Sequence, residues 1–357
     1  MKILILSSAE SPHTIKWVNT LSEDQKLSII LVSRHKLRSK ISDKVKFYQL
    51  RQKSKLSYLT SIFEFNSIIK KENPDIIHAH YASGYGTLAM LSRHDYILSV
   101  WGSDIYDFPS NTIKKLIIKT NLKMAKKIYS TSHTMAKEIA KYTKKQIKVI
   151  PFGVDTRIFN KNSNHEYSKT NDSIHIGIVK VIDYKYGIDT LIQGFSIYNN
   201  RFNSNSKLTI IGNGPQLQEM KDLASSLKVN EKINFVGWVD NKELPNFLNE
   251  FDIFVLTSRL DSESFGVAAV EASACYLPCI VTNVGGLTEV VKDGITGIVI
   301  PKDDPLSLAE KISFLVDNPG VRKKMGDQGR QNVEQNYNWT INVESMKNEY
   351  RIIMEHK

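Results

Sequence analysis

Thirteen short apolar runs, separated by segments with helical periodicity, constrain the fold of this 357-residue chain more than any other feature of its sequence. Seven lie in the first half, from KILILS near the N-terminus to IKVIP, and six lie in the second, from IHIGIVK to TGIVIP. Strands that alternate with helices in this way form parallel sheets that are covered on both faces. The sequence therefore predicts an α/β fold with two doubly wound, Rossmann-like domains that face each other across a cleft.

The expected domain boundaries follow from local composition. Residues 160–173, NKNSNHEYSKTNDS, contain no aliphatic side chain and predict a linker. This places one domain at residues 1–159 and a second at residues 174–340. Residues 341–357 have a helical pattern with no strand after them, and we expect this helix to return toward the first domain.

The overall composition is that of an ordinary globular protein, with 41% apolar and 24% charged residues. The stretch MKILILSSAESPH is too short for the apolar core of a signal peptide, and no run approaches the ~18 apolar residues of a membrane span. Cys275 and Cys279 have no other cysteine to pair with and too few neighbouring ligands for a metal site, which favours two buried free thiols. These features predict a cytoplasmic protein.

Two lone glutamates in SESFGVAAVEAS are the clearest indication of a ligand site. If a helix starts near Gly266, Glu263 lies in its entry loop and Glu271 about 12 Å further along the axis, too far for carboxylates that share a proton. Between them, the N–H groups of Phe265, Gly266 and Val267 favour an anion. This spacing suits a ligand with a hydroxylated group at each end and a diphosphate in the middle, such as a nucleotide sugar.

Two lysines at a predicted strand end support that interpretation. Lys180 directly follows its strand and Lys185 comes five residues later, so the pair is placed to hold a diphosphate and to stabilise it as a leaving group. From spacing alone, other interpretations stay open: Glu263 as an acid favoured by the helix dipole, Glu271 on a solvated stripe, and each lysine as a surface charge. A nicotinamide dehydrogenase is poorly supported, because GNGPQL has two of the three glycines of a dinucleotide turn, and a Walker-type loop is absent.

Seven segments carry further motifs along the chain: DIIHAHYASGYGTLA, VWGSDIY, IPFGVDTRIF, GIVKVIDYKYGIDTLIQGF, IIGNGP, FVGWV and SRLDSESFGVAAVEASACYLPCIVTNVGGLTEVVKDGITGIVIP. Together they resemble the retaining GT-B glycosyltransferases of glycosyltransferase family 4, over nearly the whole chain. The resemblance implies transfer of a sugar from a nucleotide sugar, with UDP expected, to a lipid-linked or saccharide acceptor in cell-surface polysaccharide synthesis. It also implies retention of anomeric configuration, no metal or other cofactor, an acceptor-binding first domain and a donor-binding second domain.

The resemblance also implies roles for individual residues. The expected catalytic residues are Glu263, Lys180, Lys185 and Asp104. The expected donor-binding residues are Glu271, Ser264, Phe265, Gly266, Val267, Gly212, Gly214, Gly237, Trp238 and Val239. On the acceptor side the expected residues are His78, His80, Trp101, Gly102 and Ser103, although one of the two histidines is better read as a core residue.

Within this set, the resemblance assigns a division of labour. Glu263 would hold hydroxyl groups of the transferred sugar, and Glu271 would bind the ribose. The backbone N–H groups of Phe265 and Gly266 would bind the diphosphate, whose charge the two lysines would neutralise. The strand-end loop from Gly237 to Val239 would recognise the base.

The chain also departs from the family pattern at several positions. Lys180 stands where most relatives have arginine, Tyr276 where glycine is usual, and Trp101 where many have histidine. The first loop, SSAESPHTIKW, lacks the paired glycines that many relatives use near the donor phosphate. Two alternatives therefore accompany the transferase hypothesis: a sugar-nucleotide epimerase of the same fold, or an inactive relative that acts as a binding or scaffold subunit.

A lysine-rich segment suggests a further partner. Residues 111–148 contain eleven lysines and one acid, a formal charge of +10 in a chain whose total is +11. Within a predicted helix, four lysines recur every four residues and so share one face: Lys115, Lys119, Lys123 and Lys127. We expect this face to dock on the anionic inner leaflet of the cell membrane. The alternative is a solvated face on a buried helix, and no aromatic interleaving supports a nucleic-acid partner.

Overall fold

The computed structural model describes residues 1–51, 57–161, 174–202 and 205–356. Within these ranges the chain forms two compact units. The first contains the described residues of Met1–Ile150 and Ile341–Lys357, and the second contains those of Pro151–Thr340. Residues 162–173, most of the predicted linker, lie outside the described residues.

The first unit is built on a seven-stranded parallel sheet. Its strands are β1 (Lys2–Leu6), β2 (Ser28–Ser33), β3 (Val45–Gln49), β4 (Ile76–His80), β5 (Ile97–Val100), β6 (Ile128–Ser130) and β7 (Ile147–Val149). Their order in the sheet is β3-β2-β1-β4-β5-β6-β7. Every residue of β4 and β5 is buried, as expected for central strands that are covered by helices on both faces.

The second unit repeats this plan with a six-stranded parallel sheet. Its strands are β8 (His175–Val179), β9 (Lys207–Ile211), β10 (Ile233–Gly237), β11 (Ile253–Leu256), β12 (Cys279–Thr282) and β13 (Gly297–Ile300). Their order is β10-β9-β8-β11-β12-β13. Each predicted apolar run is a strand, so the predicted fold class is confirmed.

Helices connect the strands and cover the sheets. In the first unit they are α1 (Pro12–Ser22), α2 (Ser57–Glu72), α3 (Gly84–Leu91), α4 (Ser103–Tyr106), α5 (Thr112–Met124) and α6 (His133–Ala140). In the second they are α7 (Ile188–Phe202), α8 (Leu217–Ser226), α9 (Leu244–Leu248), α10 (Val267–Ala274), α11 (Leu287–Val290), α12 (Pro305–Asp317) and α13 (Pro319–Asn336), followed by α14 (Trp339–Glu355). Polar caps fix several starts: the side chains of Asn111, Ser132 and Asp304 accept backbone N–H groups of α5, α6 and α12.

The strand orders position the functional sites. In each sheet the order reverses next to the strand that comes first in sequence, between β1 and β4 and again between β8 and β11. Doubly wound proteins bind ligands at such switch points, beyond the carboxyl ends of the strands. Candidate ligand sites therefore lie at the loops after β1, β2, β4, β8, β9 and β11.

From Ile341 onward, the C-terminal helix α14 belongs to the first unit. The Tyr350 hydroxyl lies 2.8 Å from Nδ1 of His78. Glu349 accepts hydrogen bonds from the Tyr129 hydroxyl at 3.0 Å and from Lys148 Nζ at 2.7 Å. Burial raises the pKa of Glu349, but the hydrogen bonds from Lys148 and Tyr129 outweigh that effect and leave the pKa below its ordinary value. A buried, paired carboxylate thus ties the last helix to the sheet.

The structure corrects the predicted lysine stripe at its last member. Helix α5 ends at Met124, so Lys127 lies outside it, where its Nζ is 3.4 Å from Glu349 Oε2. Lys115, Lys119 and Lys123 are exposed on α5. Among the described residues, no helix is long and apolar enough to cross a lipid bilayer.

Candidate active site

The carboxyl ends of β8 and β11 carry a buried ion pair in the second unit. Lys180 directly follows β8, Glu263 lies in the loop between β11 and α10, and the two strands are neighbours. Lys180 Nζ lies 2.7 Å from Glu263 Oε2. Burial lowers the pKa of Lys180, but the charge of Glu263, with further contributions from Tyr186 and Glu271, outweighs burial and leaves the pKa raised. Lys180 is therefore a largely buried cation, with 15% of its side chain exposed, that a carboxylate keeps charged, and the surface-charge interpretation is wrong for it.

Helix α10 presents an open N-terminus beside this pair. It begins at Val267, close to the predicted start, with Gly266 as N-cap. Gly266 has a φ of +89°, a left-handed conformation that favours glycine, and it provides no side-chain cap. Within the described parts of the chain, the N–H groups of Phe265, Gly266 and Val267 donate no hydrogen bond. These donors and the helix dipole make this a place for an anion.

The second glutamate lies inside the fold. Glu271 is 8% exposed, which rules out the solvated-stripe interpretation. Its Oε1 accepts a hydrogen bond from Asn241 Nδ2 at 3.1 Å. Asn241 lies in the segment after β10 that also contains Trp238, and the sequence analysis gave it no role. A buried carboxylate with an amide partner is suited to accept hydrogen bonds from a diol.

Lys185 reaches the same loop as Lys180. Its Nζ donates to the Ser262 carbonyl at 3.0 Å. The ring of Tyr186 contacts both lysines, with Lys180 Nζ at 4.7 Å and Lys185 Nζ at 5.5 Å from its centroid. Cation–π attraction of this kind strengthens when the groups are partly desolvated. Tyr186 is thus a positioning residue, and its only sequence signal was its place next to Lys185 in DYKYG.

A glycine pair after β12 supports the loop that carries Glu263. Gly286 N donates to the Glu263 carbonyl at 2.8 Å, and Gly285 N donates to Asp261 Oδ1 at 3.1 Å. A Cβ on Gly285 would lie 2.1 Å from the Glu263 carbonyl oxygen, and one on Gly286 would lie 2.3 Å from that of Ser264. Only glycine allows this approach. The sequence signal was the NVGG segment, whose glycines had received no individual role.

The glycines predicted around the nucleotide lie at the ends of β9 and β10. Gly212 N donates to the Gly237 carbonyl at 2.7 Å. A Cβ on Gly212 or Gly214 would lie 1.9 or 2.2 Å from a carbonyl oxygen of the loop after β8. Trp238 is 76% exposed and is followed by the half-buried Val239. The indole face is therefore accessible for stacking by a base.

In the first unit, the two histidines of β4 are buried and neutral. The ring nitrogens of His78 lie 2.8 Å from the Tyr350 hydroxyl and 2.8 Å from Ser99 Oγ, and burial lowers its pKa to about 3. Burial, with a smaller effect of His78, also lowers the pKa of His80 well below its ordinary value. The His80 ring lies 4.2 Å from that of Trp101. His78 thus has the contacts of a core histidine, whereas His80 adjoins the expected acceptor-side residue Trp101.

Asp104 organises the loops after β4 and β5. Its carboxylate accepts N–H groups from Ala82 at 2.5 Å, Gly102 at 2.8 Å and Trp101 at 3.2 Å. Burial raises the pKa of Asp104, and these backbone donors oppose the rise without cancelling it. Such contacts are those of a positioning residue, and a catalytic role for Asp104 stays a prediction. Ser103, at the start of α4, is exposed.

The chemistry of the second unit matches a diphosphate ligand with polar ends. Two lysines and an open helix N-terminus offer positive charge, and the carboxylates of the buried Glu263 and Glu271 are of a type that can accept hydrogen bonds from hydroxyl groups. Among the described residues, no group of three or more His, Cys, Asp or Glu side chains is placed to hold a metal ion.

Comparison with protein families gives two matches that together span most of the chain. The model for glycosyl transferases group 1 matches residues 160–332, and the model for glycosyl transferase 4-like domains matches residues 2–132. A curated relative, an uncharacterized glycosyltransferase of Methanocaldococcus jannaschii, is 27% identical over 300 residues, which cover 83% of this chain and 80% of the relative.

Solved structures share the fold of the whole chain. Sucrose-phosphate synthase from Thermosynechococcus elongatus superposes with a TM-score of 0.85 at 18% identity, over 100% of both chains. The Anabaena protein HepE, solved in complex with UDP-glucose, superposes with a TM-score of 0.79 at 15% identity, over 98% of this chain and 99% of HepE. At these identities the likeness concerns the fold alone.

Proposed function

The chain belongs to the GT4-type glycosyltransferases with the GT-B fold, and from this premise we propose that it transfers a sugar from a UDP-linked donor to a lipid-linked or saccharide acceptor, with retention of anomeric configuration. The observation that carries the proposal is the buried Lys180–Glu263 pair beside the open N-terminus of α10. A cation that is held charged inside the protein, next to free N–H donors, suits a leaving diphosphate.

In the proposed reaction, the bond between the anomeric carbon and the diphosphate oxygen breaks while the acceptor oxygen bonds to the same face of the sugar. The acceptor proton passes to the leaving phosphate oxygen, so atoms and charges balance. Lys180, Lys185 and the N–H groups at the start of α10 offset the negative charge that grows on the diphosphate. Glu263 accepts hydrogen bonds from the sugar hydroxyls, and Glu271 accepts them from the ribose. These residues supply the charge that a divalent metal would otherwise provide, so we propose a metal-independent reaction.

The choice of a uridine donor is part of the proposal. HepE, which shares the fold, binds UDP and UDP-glucose, and the exposed Trp238 offers a stacking surface that any base can use. Screening a panel of nucleotide sugars for thermal stabilisation identifies the donor, and we expect UDP sugars to raise the midpoint most. Stabilisation by none of the panel would contradict the proposal and favour an inactive binding relative.

The donor so identified then serves in an activity assay in excess chelator. We expect most of the rate to persist, and NMR of the product to show the anomeric configuration of the donor. The variant Glu263→Gln should be slowed, and its matched control Glu310→Gln, at an exposed position on α12, should not. Strict metal dependence or clean inversion would overturn the mechanism. Epimerised sugar nucleotide formed without acceptor would identify an epimerase instead.

We further propose that helix α5 docks the protein on an anionic membrane surface. The helix buries Ile118, Asn121 and Leu122 and exposes Lys115, Lys119 and Lys123. Three apolar side chains are exposed beside its lysines: Ile113 at 73%, Leu116 at 64% and Met124 at 53%. Exposed apolar residues flanked by lysines are typical of helices that lie in a bilayer interface.

Lysines near an anionic surface contribute about 1 kcal/mol each, so Lys115, Lys119 and Lys123 together contribute about 3 kcal/mol. We expect co-sedimentation with anionic vesicles at low salt, less at high salt, and little with neutral vesicles. The triple change of these lysines to glutamate should abolish binding. A matched triple change at the exposed Lys207, Lys292 and Lys324 of the second unit should leave it intact; equal effects of the two triple changes would refute docking through α5.

A further inference from the structure

A cavity of about 480 Å³ lies in the first unit where three strands end. Ser8 follows β1, Arg34 and His35 follow β2, and Tyr81 follows β4 together with the start of α3. These strands are adjacent in the order β2-β1-β4, so the cavity lies at the switch point of this sheet. Its position is the one at which a doubly wound unit binds a ligand.

The cavity has a positive character. None of its lining side chains is acidic, and Arg34 brings a permanent positive charge whose planar fork matches phosphate and carboxylate oxygens. The remaining lining side chains are a histidine, two tyrosines and two serines, all of which can donate hydrogen bonds. Such a lining favours an anionic ligand over a neutral sugar.

The donors are held in place before any ligand arrives. The Tyr85 hydroxyl lies 2.6 Å from Nδ1 of His35, 3.2 Å from Ser33 Oγ and 3.3 Å from the backbone nitrogen of Arg34. Burial raises the pKa of Tyr85, so this hydroxyl stays protonated. The other ring nitrogen of His35, Nε2, makes no hydrogen bond to any described residue. The loop after β2 is thereby fixed against α3, and His35 Nε2 is left to contact a ligand.

The start of α3 is shaped by an unusual backbone conformation. Tyr81 has a φ of +71°, which is strained for a bulky residue, and strain of this kind concentrates at functional sites. Two hydrogen bonds hold it, from its N–H to the Ser99 carbonyl at 2.8 Å and from Gly86 N to its carbonyl at 2.9 Å. Ser83, the N-cap of α3, provides no side-chain cap, and among the described residues the N–H groups of Gly84 and Tyr85 find no acceptor, whereas that of Gly86 is taken by Tyr81.

We propose that this cavity binds a phosphate group of the acceptor, so that the acceptor is either a soluble phosphorylated sugar or a saccharide on a lipid diphosphate. The inference rests on the proposed transferase function, because that function defines the acceptor. Phosphate is favoured over carboxylate because the arginine fork, the imidazole and the helix N–H groups together offer more donors than two oxygens require.

The test is a calorimetric titration of the full chain, first saturated with UDP so that the donor site is filled. The probes are glucose 6-phosphate, glucose, farnesyl diphosphate and malate. Arg34→Gln should weaken binding of the phosphate probe at least tenfold, and His35→Gln should weaken it less. Arg93→Gln is the matched control, because Arg93 is an exposed arginine of the same unit outside this cavity. If Arg34→Gln fails to fold, Arg34→Lys keeps the charge without the fork and should give an intermediate loss.

Each outcome decides the inference. Binding of glucose 6-phosphate but not glucose, lost in the Arg34 variant, supports a soluble phosphorylated acceptor. Binding of farnesyl diphosphate alone supports the lipid-borne diphosphate. Equal binding of glucose and glucose 6-phosphate, preference for malate, or no effect of the Arg34 change overturns the inference. If UDP binds but no phosphate probe does, only this inference fails, whereas failure of UDP and every other nucleotide to bind counts against the proposed function.

Discussion

Glu263→Gln should tighten the binding of a bare nucleoside diphosphate while it slows the transfer reaction. Glu263 Oε2 lies 2.7 Å from the ammonium of Lys180, and both groups are largely buried. A bound diphosphate must share Lys180 with this carboxylate and is repelled by it. Glutamine keeps the shape and removes the negative charge, so both penalties disappear in the variant.

The expected gain in the free energy of diphosphate binding follows from Coulomb's law. At an effective dielectric constant of 20, unit charges about 8 Å apart interact by about 2 kcal/mol, and solvent and relaxation reduce this. We therefore expect a gain of about 1.4 kcal/mol, which is about tenfold in Kd. Turnover should instead fall by about 10²-fold or more, because the variant loses the hydrogen bonds from the sugar hydroxyls to a carboxylate that stabilise the transition state.

The same change should make binding depend on pH. Without Glu263, burial is less opposed and the pKa of Lys180 falls, so the charged form that binds the diphosphate is lost as pH rises through the lowered pKa. As pH rises into the alkaline range, the variant should lose affinity and take up protons on binding, whereas the raised pKa of Lys180 keeps it charged in the wild-type protein.

The assay is calorimetric titration with UDP in buffers of different ionisation enthalpy, which reports affinity and proton uptake together. Glu310→Gln is the control for loss of one exposed carboxylate. A double-mutant cycle with Lys180→Met measures the coupling between the two groups. The reasoning would be refuted if Glu263→Gln bound UDP more weakly than the wild-type protein. It would also be refuted if the changes in binding free energy of the two single variants summed, to within about 0.5 kcal/mol, to that of the double variant.

Three further outcomes are expected. Glu271→Gln should weaken UDP binding about tenfold and remove the preference for UDP over 2′,3′-dideoxy-UDP, and equal loss in Glu263→Gln would contradict the division of labour. Gly285→Ala should lower turnover at least tenfold, because its Cβ would lie 2.1 Å from the Glu263 carbonyl, whereas Gly320→Ala, which meets no atom within 4 Å, should not. Because the pKa of Glu349 is lowered, its ionised carboxylate stabilises the fold above pH 4.5, the ordinary pKa, and this stabilisation is lost as pH falls through the lowered pKa. Between pH 6 and 3, the midpoint of thermal unfolding should therefore fall less in Glu349→Gln than in the wild-type protein. Identical profiles of midpoint against pH would contradict this.

Much of the architecture was predictable because it depends on local sequence. The runs KILIL, IIHAH, HIGIV and IFVL are apolar throughout or nearly so, and each is a central parallel strand with both faces covered. The start of α10 was predictable from the change of SESFG into an apolar helical pattern, and the helix begins at Val267. Lys180 and Glu263 were recognisable as site candidates because each follows a strand.

Contacts between distant segments were not predictable in the same way. The sequence indicated that either His78 or His80 belongs to the core, but the choice depends on Tyr350, which is 272 residues away from His78 along the chain. Likewise, the four-residue spacing of lysines placed Lys127 on a helix face, whereas α5 ends at Met124. Its partner Glu349 lies on the C-terminal helix, so that ion pair depends on how this helix packs.

The sequence by itself determined the strands, the start of α10 and the residue types at the strand ends, because apolar periodicity acts within a few residues. Tertiary structure decided which strand ends meet. β8 and β11 are separated in sequence by β9, β10 and three helices, yet they are neighbours in the sheet, and this adjacency brings Lys180 to Glu263 and Lys185 to the Ser262 carbonyl. The physical reason is that strand order is set by packing of the whole sheet and its crossover helices, so the buried charge pair that defines the site arises only once that sheet has formed.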